Sequence, residues 1–407
     1  MSKKIMILGG SDFQLPLLRT AHSLGYTVVL CDMRPSCPGM QEADIKYIAD
    51  YSDKTAVLEI AKKEKIDGII SNNEPAMLTV AYVSQALGLV GNPVESVEKL
   101  ISKSAFRQLQ VSAGVFSPRS FTAASPEALL QRVEELRFPI IIKPNEASGT
   151  RGTRRIAAYD EQEISKAFSD CRACSRNGLV TAEEYVEMDS LKVNDADVFV
   201  LGEEFFWDGM FQQMRAKETP MLPMTQIYPA QLSQEQRRSI RTAVETLMKA
   251  AGVQHGEYNV ETYFTKQNEV FVIEINPRQG GNYIPQMIQK CCGVDLTKLL
   301  VSTAVGDYRY YESLKTFQRT GNYIALHPVF SKKAGVYEGL FIADEVKPFV
   351  LSVSEKLRAG EPAEAGSNAG QVIAHVLLQF SDSETQHRYA EHIEDYIYPL
   401  VGESSYA

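Results

Sequence analysis

Hydrophobic positions along this chain switch between two spacings, and the switching divides it into three stretches. From Lys3 to about residue 100 the pattern runs strand, turn, helix, repeated. Lys4 to Leu8 is a short apolar run ending at Gly9-Gly10-Ser11, after which Leu15, Leu18, Ala21 and Leu24 recur at helical spacing until Gly25. Tyr26 to Asp32 predicts a second strand, residues 53–65 a helix, and Gly68 to Ser71 a further strand. This is the βαβ series of an open parallel sheet. The character changes from Ser102. Pro139 to Ile142 and Leu179 to Val186 read as strands, and short strands are expected around Trp207 in residues 194–230. A Pro- and Met-rich segment from Thr219 to Pro229 predicts a loop over the site. Ser233-x-x-Gln236 is a capping box that opens a helix carrying Ile240, Val244, Leu247 and Ala251 and stopped by Gly252. Tyr258 to Phe264 and Val270 to Asn276 are strands separated by the turn Lys266-Gln267-Asn268. Beyond Gly321, strands at Tyr323 to Leu326 and Gln371 to Val376 precede a helix over residues 383–398. The expected fold class is α/β: an amino-terminal open parallel sheet (1–100), a central α+β domain (101–315) and a small carboxyl-terminal α+β subdomain (316–407).

Composition narrows the class. A chain of 407 residues with 44% hydrophobic and 23% charged content is that of a globular protein of two or three domains. A net charge of -9 argues against nucleic acid as the main partner, and no apolar run predicts a membrane span, so the cytoplasm is the default expectation. Cys171-x-x-Cys174 has no second CxxC to complete a zinc site. With Ile164 and Phe168 it falls on one helical apolar face, which predicts packing.

Candidate chemistry lies where polar residues interrupt apolar runs. Side chains alternate along a strand, so Glu274 and Asn276 share a face, which Val270 and Val272 begin with apolar groups. If the two strands form a hairpin, Glu261 comes close to Glu274. Two carboxylates and an amide oxygen then face one small volume, a donor set suited to Mg²⁺ or Mn²⁺ shared with nucleotide phosphates. Arg278 just beyond can hold a phosphate or carboxylate in a fork, or form a structural ion pair with one of the glutamates. Lys103 opens a helix and Lys143 ends the strand at residues 139–142, where an anion would compensate its desolvation. Next comes Ala147-Ser148-Gly149-Thr150-Arg151-Gly152-Thr153, a loop able to wrap phosphate oxygens with its backbone N–H groups. In an open parallel sheet the ligand lies beyond the strand carboxyl ends, which places Gly10 and Glu74 at one crevice, Glu74 being equally readable as a helix N-terminal carboxylate. Gly9-Gly10-x-x-x-Gln14 is not the dinucleotide fingerprint, although Asp32 ends the second strand.

Gly256-Glu257-Tyr258-Asn259-Val260-Glu261 together with Ile273-Glu274-Ile275-Asn276-Pro277-Arg278 and Gly280-Gly281 resembles the ATP-grasp superfamily of ATP-dependent carboxylate–amine ligases. The resemblance extends to the order lysine, strand end, mobile glycine loop, and to the amino-terminal sheet as a Rossmann-like substrate-side domain. It implies an ATP site of Lys103, Lys143, Ser148, Gly149, Thr150, Arg151 and Gly152, with the strand of Glu183, Glu184, Tyr185 and Val186 as the adenine hinge. Glu261, Glu274 and Asn276 would hold the metals, and Arg278 and Lys143 would stabilise the transferred phosphoryl group. Glu74, Gly10, Arg278, Gly280 and Gly281 would face small-molecule carboxylate and amine substrates. Met188-Asp189-Ser190 departs from the family pattern at the ribose contact, leaving Glu187 and Asp189 as stand-ins. The activity implied is ligation through an acyl phosphate, with ATP and Mg²⁺ (or Mn²⁺) required. An NAD(P)-binding oxidoreductase and a non-catalytic ATP-binding sensor remain alternatives, as does formate as the acid. Enzymes of the resembled class are often homodimers.

Overall fold

The computed structural model describes residues 2–147, 151–215, 223–281, 284–366 and 371–403. Strands β1 (Lys4–Leu8), β2 (Thr27–Asp32), β3 (Ile45–Ile48) and β4 (Gly68–Ile70) form a parallel sheet in the order β3-β2-β1-β4. The central strand β1 is covered on both faces, which is why its apolar run is unbroken. Ile5 and Ile7 join a core with the helices Leu15–Ser23 and Leu296–Ala304, while Met6 and Leu8 pack with Val57 and Ala61 of the helix Lys54–Glu64.

A second, smaller sheet has the order β5-β8-β6-β7, built from β5 (Ser120–Ala123), β6 (Ile140–Pro144), β7 (Arg154–Ile156) and β8 (Val180–Glu184), all antiparallel. Its helices, Pro126–Val133 and Glu161–Cys174, bury one face through Leu129, Val133, Ile164, Phe168 and Cys171. Cys174, expected on that apolar face, is exposed at the helix end. Ile140 and Ile142 point into this core, so alternation turns Lys143 to the opposite face.

The remaining strands are β9 (Lys192–Leu201), β10 (Glu204–Arg215), β11 (Pro223–Tyr228), β12 (His255–Phe264), β13 (Val270–Asn276), β14 (Tyr323–Val329), β15 (Gly335–Ile342), β16 (Val350–Glu355), β17 (Pro362–Ala363), β18 (Ala374–Phe380) and β19 (Ile397–Gly402). Eight of them make one antiparallel sheet, β13-β12-β9-β10-β11-β14-β18-β16, and three make another, β17-β15-β19. Three of the strands beyond residue 316, β14, β16 and β18, therefore extend the same sheet that carries the Glu261 hairpin, and the other three form the separate sheet. The capped helix Gln234–Ala251 covers one face of that sheet through Ile240, Val244 and Leu247. On the other face, Phe199 and Phe211 pack against the helix Ile284–Cys292 and join the core of the amino-terminal sheet. No helix among the described residues is long and apolar enough to cross a membrane.

Three expected elements differ. Residues 223–228 of the predicted loop form β11, hydrogen-bonded on both edges, and residues 219–222 lie outside the described residues. Trp207 lies within the long strand β10, which pairs with the long β9, and an irregularity between Phe206 and Gly209 disguises the alternation. The helix expected over residues 383–398 stops at Ala390, and Ile397–Gly402 pairs with β15 instead. A distant partner strand decides that segment, and local periodicity cannot register it.

Candidate active site

The hairpin forms as the sequence predicts. β12 and β13 pair with Glu261 directly opposite Glu274 and Asn259 opposite Asn276. The apolar half of the expected face is wrong, however. The register slips between Glu261 and Thr262, whose partners are Glu274 and Val272, leaving Ile273 as an extra residue. Val272 consequently packs with Ile275 beneath the helix Gln234–Ala251, and Ile273 turns to Phe271. Glu274 and Asn276 still share a side: the Asn276 amide donates to Glu274 Oε1 at 2.8 Å, and Lys103 Nζ donates to Glu274 Oε2 at 3.0 Å. Glu261 receives Arg215 at 3.3 Å.

The small sheet meets this hairpin through Arg107, which holds Glu183 and the Ile273 carbonyl. Lys143 Nζ donates to Glu183 Oε1 at 2.5 Å, and Arg107 Nε donates to Glu183 Oε2 at 2.9 Å. Arg107 also reaches Gln110 and the Ile273 carbonyl, stitching the helix Lys103–Ser112 to both sheets. Asn145, two residues past Lys143, fixes the spacing of the lysines. Its side-chain oxygen accepts from the Ser104 N–H at 2.9 Å and its carbonyl from the Lys103 N–H at 3.0 Å. Glu184 lies on the other face of β8, where its carboxylate takes Arg137 at 3.0 Å, so it is not brought to Lys143. In the expected hinge, the Tyr185 N–H is spent on the Pro139 carbonyl, and the Val186 carbonyl accepts the Tyr263 hydroxyl at 2.7 Å. Arg155 stacks over the Tyr185 ring. Glu187 pairs with Lys266 at the surface. Arg151 is exposed, and Gly152 adopts φ +75° against the helix Glu161–Cys174, where a side chain would be strained. Ser148, Gly149 and Thr150 lie outside the described residues.

The substrate-side residues divide. Glu74 is buried at the start of the turn after β4, and its carboxylate meets Arg176 at 3.0 Å and Arg278 at 3.9 Å. Arg278 thus faces Glu74, and neither Glu261 nor Glu274 forms an ion pair with it. Gly280 donates to Asp197 at 2.8 Å, and a Cβ there would meet Asp197 at 2.7 Å. Gly281 faces open space. Gly10 is committed elsewhere: its N–H donates to Asp32 and its carbonyl accepts from Gly39. Asp32, buried and paired with Arg34, is equally engaged, which counts against its holding a dinucleotide ribose.

Burial and neighbours set the charges. Burial works against the Glu183 charge, but Arg107 and Lys143 outweigh it and hold the carboxyl at about 2. Burial also drives Lys143 down to about 8, partly opposed by Glu183. Lys103 goes the other way: Glu274 and Glu74 overcome its burial and raise it. Glu274 is held at about 2 against burial by Lys103, the Asn276 amide and Arg278. On β12 and its neighbour β9, Asp195, Asp197, Glu257 and Glu261 are all raised, first by burial and then, for Asp195, Glu257 and Glu261, by neighbouring carboxylates. Asp195 and Asp197 share the Asn259 amide, at 2.7 and 3.0 Å. Nothing in the sequence spacing marks Arg107, Arg176, Arg215 or Asn145. The one visible hint was polar residues inside the otherwise buried strand β9, Asn194, Asp195 and Asp197.

A parallel amino-terminal sheet, a small antiparallel sheet with Lys143 near the end of one strand, and a large sheet whose hairpin offers paired acidic and amide oxygens are together the architecture of the ATP-grasp fold. Residues 102–309, just over half of the chain, match the family model described as carbamoyl-phosphate synthase L chain, ATP binding domain, and the chain belongs to that family. The carbamoyl phosphate synthase large chain, C-terminal section, of Aquifex aeolicus is 27% identical over 329 residues, covering 75% of this chain and 58% of that protein. The large chain of Vibrio vulnificus is 25% identical over 321 residues, covering 75% of this chain and 29% of its own length. The chain thus spans well under two thirds of either relative. Among solved structures, an L-amino acid ligase from Bacillus licheniformis superposes with a TM-score of 0.80 at 19% identity over 99% of both chains. A phosphoribosylglycinamide synthetase from Anaerococcus prevotii gives 0.72 at 18% identity, over 99% of this chain and 100% of that one.

Proposed function

We propose that the chain joins a carboxylate to an amine, or a similar nucleophile, through an acyl phosphate, releasing ADP and phosphate as a carbon–nitrogen ligase. One observation carries the reading: Lys103 sits on Glu274, with Asn276 beside it and Glu261 across the ladder, while Lys143, next to last in β6, is near enough to feel the Lys103 charge. Cationic amines and ionised carboxylates in one cleft are what a triphosphate with its counter-ion requires.

In this reading Lys103 and Lys143 hold the phosphate oxygens, and the segment through Arg151 and Gly152 covers them. Among the described residues no three His, Cys, Asp or Glu side chains form a metal cage of their own. Glu261, Glu274 and Asn276 nonetheless offer oxygen donors of the type magnesium or manganese takes when sharing its shell with phosphates. Such an ion, when bound, supplies neutralisation of their charge. Arg278, whose guanidinium reaches the Gln279 carbonyl at 2.9 Å and stands 3.9 Å from Glu74, is suited to a carboxylate or a transferring phosphoryl group. A substrate carboxylate oxygen attacks the γ-phosphorus and ADP leaves; the neutral amine nitrogen then attacks the acyl carbon, and phosphate leaves with the proton the nitrogen gives up. No side-chain nucleophile is needed, because phosphoryl transfer is driven by positioning and charge.

The test is ADP release with Mg·ATP against a matrix of amino acids and small acids. An acid and an amine that stimulate release together and not singly identify the reaction. ATP binding without release under any pair would turn the reading to a nucleotide sensor.

A further inference from the structure

Glu74 is a buried carboxylate whose two ion-pair partners both come from other parts of the chain. Its side chain is 6% exposed in the turn after β4 of the amino-terminal sheet. Arg278 follows the large-sheet hairpin and stands off at 3.9 Å, whereas Arg176 at 3.0 Å belongs to the small sheet, in the turn between the helix Glu161–Cys174 and β8. A carboxylate out of water needs its cations close, and with the small sheet undocked Glu74 would lose its nearest one, keeping only Arg278 at 3.9 Å and the field of Lys103.

Arg176 has a second edge. Its Nε lies 4.0 Å from Glu146 Oε2, and its backbone N–H donates to the Glu146 carbonyl at 3.0 Å. The neighbouring Asn177 donates to Glu146 Oε1 at 2.8 Å. Glu146 is three residues beyond Lys143 and precedes the glycine segment. One planar guanidinium therefore stands between a carboxylate at the mouth of the amino-terminal crevice and one at the root of the phosphate-side segment. A lysine ammonium, being a point charge, has no pair of edges with which to do this.

We propose, resting on the ATP-ligase reading above, that Arg176 is a positioning residue that couples the two halves of the site. Through Glu74 and Glu146 it makes docking of the small sheet over nucleotide and ordering of the amino-terminal substrate turn favour one another. Linkage makes the effect reciprocal: whatever orders the Glu74 turn tightens nucleotide binding by the same factor. For a ligase this would restrict phosphoryl transfer to the state in which the crevice is formed.

Hydrogen exchange on the full chain tests this, with magnesium and a non-hydrolysable ATP analogue as the probe. In the wild type, nucleotide should slow exchange in residues 151–156 and also in residues 71–77. In Arg176→Gln the slowing at 151–156 should persist while that at 71–77 falls by roughly fivefold or more, in the range of ordinary coupling energies. Arg176→Lys should behave like Arg176→Gln, which a simple need for positive charge would not produce. The proposal is overturned if residues 71–77 respond equally in wild type and Arg176→Gln, if they never respond in the wild type, if Arg176→Gln loses both responses, or if lysine restores the link. Absence of any response at 151–156 in the wild type would instead sink the nucleotide reading, and this inference with it.

Discussion

Two lysine–glutamate pairs flank the cleft, and they differ in almost everything but composition. Lys143 and Glu183 are sealed, with a third group, Arg107, on the same carboxylate and all three side chains at most 10% exposed. Lys103 and Glu274 are more open, at 14% and 24%, and share their surroundings with Asn276. In the sealed triad the carboxylate has two cations, so the lysine is the surplus charge and burial drives it down to about 8. In the open pair the lysine is needed by Glu274 and Glu74, and it is raised. The contrast assigns different work to each. On the proposed function, the open pair would keep an ionised carboxylate available for a metal, while the sealed triad would keep an amine ready to turn from Glu183 to an incoming phosphate.

The largest effect that would break this comparison comes from the open pair. Glu274→Gln keeps the shape but removes the charge, and turnover measured as ADP release should fall on the order of 10³-fold or more. Lys143→Ala should lower it roughly 10²- to 10³-fold, because Arg107 continues to neutralise Glu183 and the loss is confined to phosphate contact. Near-normal ADP release by Lys143→Ala would reject its place in the site. Arg107→Met attacks the sealed triad from its structural side. Breaking a buried pair by removing one partner should cost about 3–5 kcal/mol in urea denaturation, with Gln110 and the Ile273 carbonyl also losing a donor.

The smallest effect is the most discriminating. At pH 7 Lys143 is already an ammonium, so nucleotide binding exchanges little proton through it. At pH 8.5, above the lysine's value of about 8, the neutral amine predominates, and a triphosphate that favours the charged form draws a proton in. Titration calorimetry in buffers of different ionisation enthalpy should therefore show proton uptake at pH 8.5 and weaker binding as pH rises above 8. Lys143→Ala should abolish the uptake. Uptake unchanged in that variant would mean the titrating group lies elsewhere.

Much of this architecture is written in local pattern. The β1 run, the Ser233/Gln236 capping box, the 266–268 turn and the polar residues of the Glu261 hairpin each act within a few residues, so periodicity and turn chemistry expose them. The bulge at Ile273 is not written there. An extra residue in one strand is defined only against its partner, and it reversed which apolar residues share the core. Chain-order chemistry likewise singled out Lys103, Lys143, Glu261, Glu274 and Asn276 as candidates, yet it did not indicate that Glu183 would face Lys143 and Arg107 while Glu184 turned away.

What the sequence determined by itself was the inventory: strands, helices, and which polar groups are stranded among apolar neighbours and so require partners. Which partner each one meets was decided only by the tertiary fold. Arg107 and Glu183 stand 76 residues apart, Lys103 and Glu274 171 apart, Glu74 and Arg176 102 apart. Ion pairing has no sequence period, so at such separations only the packing of three sheets brings the charges together.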